Sequence, residues 1–316
     1  MLETREFVRK LSLLFFFDDM DLKVDIQLIF LCVVTVIFTC AGIFLNLLAI
    51  VSFWRSSPHL RSKLCYFVIM VLSFCDFLVV ITNHPLQILR LAWGLQGKND
   101  AVAVLQIYLQ FSDIFIGFSI MAVLVMSIER YLGAYYPFFH RTSLTRRRLL
   151  TLLVVLSLVP TILTIISAND LVISFATKLI ILSVIIIPPF VFFNCKLFMI
   201  SRKVRRDIAS RRDNTSSPEI TTLRDNLKKI STCLLAVGCL LLLFVPVFIF
   251  IAFHLAGFKL GENTIFKMVI FWTRTVSNAN STLNCLIFFW KDDVLRREGK
   301  KAVKALSDRL KLACCC

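Results

Sequence analysis

Seven apolar stretches, at residues 25–54, 62–91, 102–135, 147–168, 174–200, 230–256 and 264–290, take up most of the chain. Each is long enough to cross roughly 30 Å of hydrocarbon as a helix. Backbone polar groups inside lipid must be satisfied within the protein, so such a pattern folds as a bundle of spanning helices. The 58% of hydrophobic residues and the 30 Phe are too many for a soluble domain of this length. The expected fold class is therefore an all-α membrane protein, with a seven-transmembrane helix bundle over 25–290. A tail over 1–24 precedes it and a segment over 291–316 follows it. The fourth and fifth stretches leave only Ser167 to Asp170 and a few neighbours between them, a very short loop.

A net charge of +16 raises the question of nucleic acid, but the basic residues sit in alternate connections. Segments 54–63, 136–149, 201–229 and 291–316 together hold 24 of the 36 Lys and Arg. The positive-inside rule makes those segments cytoplasmic and the amino terminus extracellular, which leaves no nucleic-acid role. Arg9-Lys10 is followed by a short apolar run, Leu11 to Phe17, that ends in Asp18-Asp19, so the tail is read as retained rather than as a cleaved signal. Asn214-Thr215-Ser216 and Asn280-Ser281-Thr282 match the glycosylation pattern by chance, one in an inner connection and one in a span. The cysteines lie in or beside the spans or at the carboxyl end, so no extracellular disulfide is expected.

Polar side chains within hydrocarbon are costly unless partnered. Asn46 lies in the first span, Asp76 in the second, Ser119 in the third, and Asn280, Ser281 and Asn284 in the seventh. Asn280 and Asn284 are four residues apart and share a helix face with Ser277. A carboxylate among amide and hydroxyl oxygens is suited to a proton, water or a small cation such as sodium. The bland alternative is a buried hydrogen-bond network joining helices, but an intramembrane Asp is an expensive way to build one. Charge also closes the third span, at Glu129-Arg130-Tyr131, with Pro137 and a basic stretch beyond.

In order along the seven spans, the chain carries Asn46, Leu72-Ser73-Phe74-Cys75-Asp76, Glu129-Arg130-Tyr131 with Pro137, the pair Pro188-Pro189, Phe244-Val245-Pro246, and Asn284-Cys285-Leu286-Ile287-Phe288. This set resembles that of the rhodopsin-like (class A) G-protein-coupled receptors. The resemblance implies that Glu129, Arg130 and Tyr131 form the G-protein switch, with Arg130 paired to Glu129 at rest and turned into the G-protein cavity on activation. It implies a sodium or polar core of Asn46, Asp76, Ser119, Asn280, Ser281 and Asn284, with an allosteric sodium ion at Asp76 and no required cofactor. Transmission between the two ends falls to Ile120, Pro188, Pro189, Leu240, Phe244, Pro246 and Phe288. The alternative for Arg130 is an arginine that snorkels to anionic headgroups.

The departures are specific. The family's seventh-span Asn-Pro-x-x-Tyr reads Asn284-Cys285-Leu286-Ile287-Phe288, losing a proline kink and a phenol. Phe244 replaces the sixth-span Trp, the fourth span holds no Trp, and Leu105 stands where the third span's outer Cys is expected. No Lys occurs between Arg274 and Trp290 to form a Schiff base, which disfavours an opsin. Ser112 takes the position of the amine receptors' aspartate, and Asp113 is rotated about 100° from it.

Asp113 and Arg274 lie in the outer half of the third and seventh spans, where a mutual ion pair is the cheapest arrangement. With Ser112 and His84 they are the candidate ligand-pocket residues; His84, Arg90, Trp93 and His254 also read as interfacial anchors. Lys291 to Leu312 alternates charge with apolar residues and predicts a short amphipathic cytoplasmic helix, with Gly299 as a break. Cys314, Cys315 and Cys316 follow it as palmitoylation candidates.

The expected function is a plasma-membrane receptor, not an enzyme. It converts binding of an extracellular ligand (a peptide, a lipid-like acid or a small chemosensory molecule) into activation of a heterotrimeric G protein, with membrane lipids as further partners. Two alternatives stand beside it. A transporter or channel would use Asp76, Asp113 and Arg274 as a polar path, though no internal repeat is seen. A decoy or scaffold receptor that binds without signalling is suggested by Cys285 and Phe288.

Overall fold

The computed structural model describes residues 22–95, 102–166, 171–210, 218–255 and 264–314. The tail over 1–21, the Ser167 to Asp170 connection, Asn214-Thr215-Ser216, Cys315 and Cys316 lie outside the described residues. So do the side chains of Trp93, Leu105, His254 and Cys314.

Among the described residues every regular element is helical. The order is α1 (Leu22–Arg55), α2 (Pro58–Ser62), α3 (Leu64–Leu95), α4 (Val102–Tyr135), α5 (Pro137–Thr142), α6 (Arg146–Ile166), α7 (Leu171–Ser210), α8 (Pro218–Leu255), α9 (Thr264–Lys291) and α10 (Asp293–Cys314). Six of these, α1, α3, α4, α6, α7 and α8, are long and apolar enough to cross a membrane, and the chain is a multi-pass membrane protein. The expected seventh stretch forms α9, which is not one of those six. From Thr273 to Asn284 it is rich in Thr, Ser and Asn, and those side chains are turned into the protein.

The long helices close a ring. α1 packs on α3, α3 on α4, α4 on α7 and α8, α7 on α8, α8 on α9, and α9 back on α1 and α3, while α6 sits outside against α4. The outward surface is apolar: Phe30, Ile37, Val154, Val184 and Leu242 are all exposed. The main core is centred on α3 and α4, around Leu72, Val123 and Met126. Where both core and surroundings are apolar, helices associate through close packing and interhelical hydrogen bonds. At Gly42 that closeness is measurable. A Cβ built there would come 2.5 Å from Thr282 Oγ1 and 2.8 Å from Val80 Cγ2, so glycine lets α1 lie against both α3 and α9.

The short elements start where their sequences dictate. Ser57 precedes Pro58 at the first position of α2, and its Oγ accepts from Leu60 N at 3.3 Å. Asp292 breaks α9 from α10 and caps the latter, its Oδ1 accepting from the amides of Val294 and Leu295, each at 2.9 Å. Asp293 in the first turn of α10 accepts from Lys228 Nζ of α8 at 3.2 Å and pairs with Arg296. The Lys228 hydrogen bond, helped by the charges of Lys228 and Arg296, holds the Asp293 carboxyl below its ordinary value.

Gly299 does not break the helix, contrary to the sequence expectation: α10 runs through it without interruption. The reason is steric. A Cβ at Gly299 would stand 2.8 Å from Phe289 Cε1, so the residue is small to admit a ring from α9, not to end a helix.

Candidate functional site

Asp76 is wholly buried in the middle of α3. Ser119 Oγ of α4 donates to its Oδ1 at 2.5 Å and Asn284 Nδ2 of α9 donates to its Oδ2 at 3.0 Å, so one carboxylate joins three helices. Asn46 of α1 holds the next layer. Its Nδ2 donates to Gly42 O at 2.9 Å and to Ser281 O at 3.2 Å, and its Oδ1 accepts from Cys285 Sγ at 2.9 Å. Ser73 Oγ lies 3.3 Å from the same sulfur. Cys285, read from sequence as a lost proline, is thus a donor at the centre of the protein. With no proline, α9 also remains a continuous helix through this point. Asn280 is buried, but no hydrogen bond joins it to Asp76; its Oδ1 and that of Asn284 accept none from the protein. The oxygens around Asp76 are hard donors of the kind that hold sodium or water.

At the end of α4, three successive residues point in three different directions, because each step on a helix turns about 100°. Glu129 is 2% exposed, with Oε2 3.2 Å from Arg130 Nε and Oε1 accepting from His140 Nε2 of α5 at 2.8 Å. The Arg130 guanidinium lies beside Cys65 of α3 and Cys233 of α8. Tyr131 stacks on Tyr135 at 5.5 Å and meets Phe193 of α7 edge-on at 5.5 Å. His140 is the residue that sequence reading missed: it is eleven positions from Glu129, across a turn, and no helical spacing connects them.

At the opposite end, Arg274 Nη1 donates to Asp113 Oδ1 at 2.8 Å, both side chains being mostly buried. The arrangement anticipated from their depth is present. Ser112 is buried and its carbonyl accepts from Asn83 Nδ2 at 3.3 Å. His84 is turned between α1 and α9, its Nδ1 3.1 Å from Thr39 Oγ1 and its Nε2 3.3 Å from Asn278 O. One turn along α3, Gln87 accepts from Asn278 Nδ2 at 2.7 Å and donates to Thr275 Oγ1 at 2.5 Å. The Arg90 guanidinium lies 4.2 Å over the Phe271 ring. This α1–α3–α9 polar seam had no motif to announce it; the only sequence trace is the run of small polar residues in α9.

Between the two ends, Leu240 and Phe288 are buried in the main core, and Ile120 and Phe244 pack against it half-buried. Pro246 and Pro189 are half-buried. Pro188 is exposed, so of the proline pair it is Pro189 that lies on the inward side. Adjacent helical residues face different directions, and here Pro189 and Phe190 take the inward side.

Fold and site together define a multi-pass helical membrane protein with a buried carboxylate at its centre and a charged Glu-Arg pair at one end. Residues 45–170 match the family model of the seven-transmembrane receptor (rhodopsin family), which bears out the resemblance to class A G-protein-coupled receptors. The matched segment contains Asn46, Asp76, Ser119 and Glu129-Arg130-Tyr131. None of the curated proteins compared matches the chain.

Proposed function

We propose that the chain is a seven-span plasma-membrane receptor with its amino terminus outside, α9 as the seventh span and α10 on the cytoplasmic leaflet. It transmits binding of an extracellular ligand at the Arg274 end to a heterotrimeric G protein at the Arg130 end. The observation that carries this reading is the Glu129-Arg130 pair, seated between α3 and α8 in the segment that matches the receptor family. An agonist acts only if it favours the open form of that end over the closed one. Asp113, Arg274 and Ser112 form the inner wall of the ligand site, and His84 supports it from behind. The carboxylate of Asp76 holds sodium in the resting state with Ser119 and the Asn280 and Asn284 oxygens, whose acceptor capacity the protein leaves unused. Cys314 to Cys316 carry acyl chains that fix α10 to the membrane.

The test is a ligand-library screen on cells expressing the chain, read by nucleotide exchange on several G proteins. An active ligand is expected, and Arg130→Ala is expected to abolish its signal while surface expression persists. Undiminished signalling by a well-expressed Arg130→Ala, or ion flux in place of exchange, would overturn the reading.

A further inference from the structure

Asp113 of α4 and Arg274 of α9 meet at 2.8 Å, yet the pair is not sealed: the two side chains stay 16% and 13% exposed, whereas Asp76 is wholly buried. Polar atoms lie unused in the same stretch of these helices. The hydroxyls of Ser112, beside Asp113 in α4, and of Ser277, one turn along α9 from Arg274, are buried with no hydrogen-bond partner in the protein. Asn278 donates to Gln87 through Nδ2, while its buried Oδ1 accepts nothing. Residues three and four apart on a helix are neighbours, so Ser277 and Asn278 flank Arg274 on one face. A carboxylate and a guanidinium are thus accompanied by two hydroxyls and an amide oxygen, in apolar helices where an unmade hydrogen bond is costly.

The pair also selects by charge. A ligand with a single negative charge takes Arg274 only by drawing it from Asp113, and it then sets its own charge against that carboxylate. A singly positive ligand does the same to Arg274. An uncharged ligand leaves the pair closed. A ligand that carries both charges close together replaces one ion contact by two and takes the close counter-charge from neither residue. We propose that the ligand of this site is a small zwitterion of the free α-amino-acid class, bound with its ammonium on Asp113 and its carboxylate on Arg274. The short reach of the pair sets the size: ammonium and carboxylate share one carbon in such a molecule, so it enters with little parting of α4 and α9. The guanidinium grips the carboxylate with two N–H groups, and the Ser112 and Ser277 hydroxyls and Asn278 Oδ1 supply further hydrogen bonds. The proposal deepens the receptor reading above and rests on it for the signal, which follows because the ligand replaces a direct contact between α4 and α9.

The test is a thermal-shift titration of the purified full chain with the free α-amino acids of uncharged side chain, followed by nucleotide exchange on a panel of heterotrimeric G proteins. At least one amino acid should raise the thermal midpoint in a saturable way. Its N-acetyl derivative, a pure anion, and its decarboxylated amine, a pure cation, should each bind about a hundredfold more weakly. On the folded fraction of the charge variants that order should invert: Asp113→Asn should prefer the N-acetyl derivative to the amino acid, and Arg274→Gln should prefer the amine. Damage to the structure alone weakens all three compounds together and inverts nothing. The wild-type series decides the matter where a variant does not fold. The proposal is overturned if no amino acid shifts the midpoint, if either singly charged derivative binds wild type as tightly as its parent, or if the folded variants keep the wild-type order. An amino acid that binds as expected but drives no exchange on any G protein overturns the receptor reading and leaves the zwitterion site standing. Exchange driven by a compound of another class, with no amino acid bound, does the reverse.

Discussion

Cys285 shows how a residue that departs from a familiar motif can be bound into the same network. Its thiol is the donor to Asn46 Oδ1, and its position in an unbroken α9 keeps the backbone bond a proline would delete. Cys285→Ala should destabilise the purified protein by about 1–3 kcal/mol for an unsatisfied buried acceptor, read as a lower thermal midpoint, while Cys285→Ser should recover most of it. Equal midpoints for wild type and Cys285→Ala would show that the thiol holds nothing. Asp113 and Arg274 make a larger claim. Their side chains are 16% and 13% exposed, so removing one takes a close counter-charge from the other in a poorly solvated place, at up to about 3–5 kcal/mol. Asp113→Asn and Arg274→Ala should each reduce folded protein at the surface, and Asp113→Arg with Arg274→Asp should restore part of it. Independent, additive damage would mean that the pair contributes no coupling. The Asp113–Arg274 pairing lay within reach of sequence reasoning, since charges at equal depth in apolar helices have few partners. His140 with Glu129 did not, since only the turn before α5 brings them together.

The contacts between helices depend on small residues at named points. At Gly42, α1 meets Thr282 of α9 and Val80 of α3 with no space for a methyl group, whereas Gly238 of α8 has nothing within 4 Å of where its Cβ would be. The two glycines therefore predict opposite signs for the same substitution. Gly42→Ala should destabilise by about 1–3 kcal/mol through forced separation of the helices. Gly238→Ala should be neutral or stabilise by up to about 1 kcal/mol through helix propensity. Differential scanning of the two variants in one detergent checks the contrast, and a stabilised Gly42→Ala would refute the close packing. Gly299 belongs to the same class, and its misreading as a helix breaker has the same cause. The sequence shows that a glycine is present, but the Phe289 ring that requires it comes from another helix.

At the scale of the whole molecule, one buried carboxylate ties α3, α4 and α9 together, so an ion bound at Asp76 would bias their arrangement as a unit. Sodium should lower agonist affinity by linkage, and Asp76→Asn should remove the effect. A sodium effect of unchanged size in that variant, or none in wild type, would exclude the ion. The distribution of Lys and Arg makes a separate prediction about orientation. An epitope placed at the amino terminus should be reached by antibody on intact cells, and one at the carboxyl end only after permeabilisation; the reverse result would invert the topology. The all-helical class, six of the expected spans, the apolar exterior and the placement of charge at the ends were legible in the chain itself, because lipid imposes on each segment a length and a composition that it must meet alone. Asp76, Ser119 and Asn284 could be named as a group for the same reason, as polar side chains where polarity is costly. What the sequence could not decide was which helix face meets which. The α1–α3–α9 seam through His84, Gln87 and Asn278, the outward turn of Pro188, and the hold of His140 on Glu129 all follow from how the helices are rotated against one another. That rotation is set by many small packing contacts between distant residues, none of which leaves a local signature in the chain.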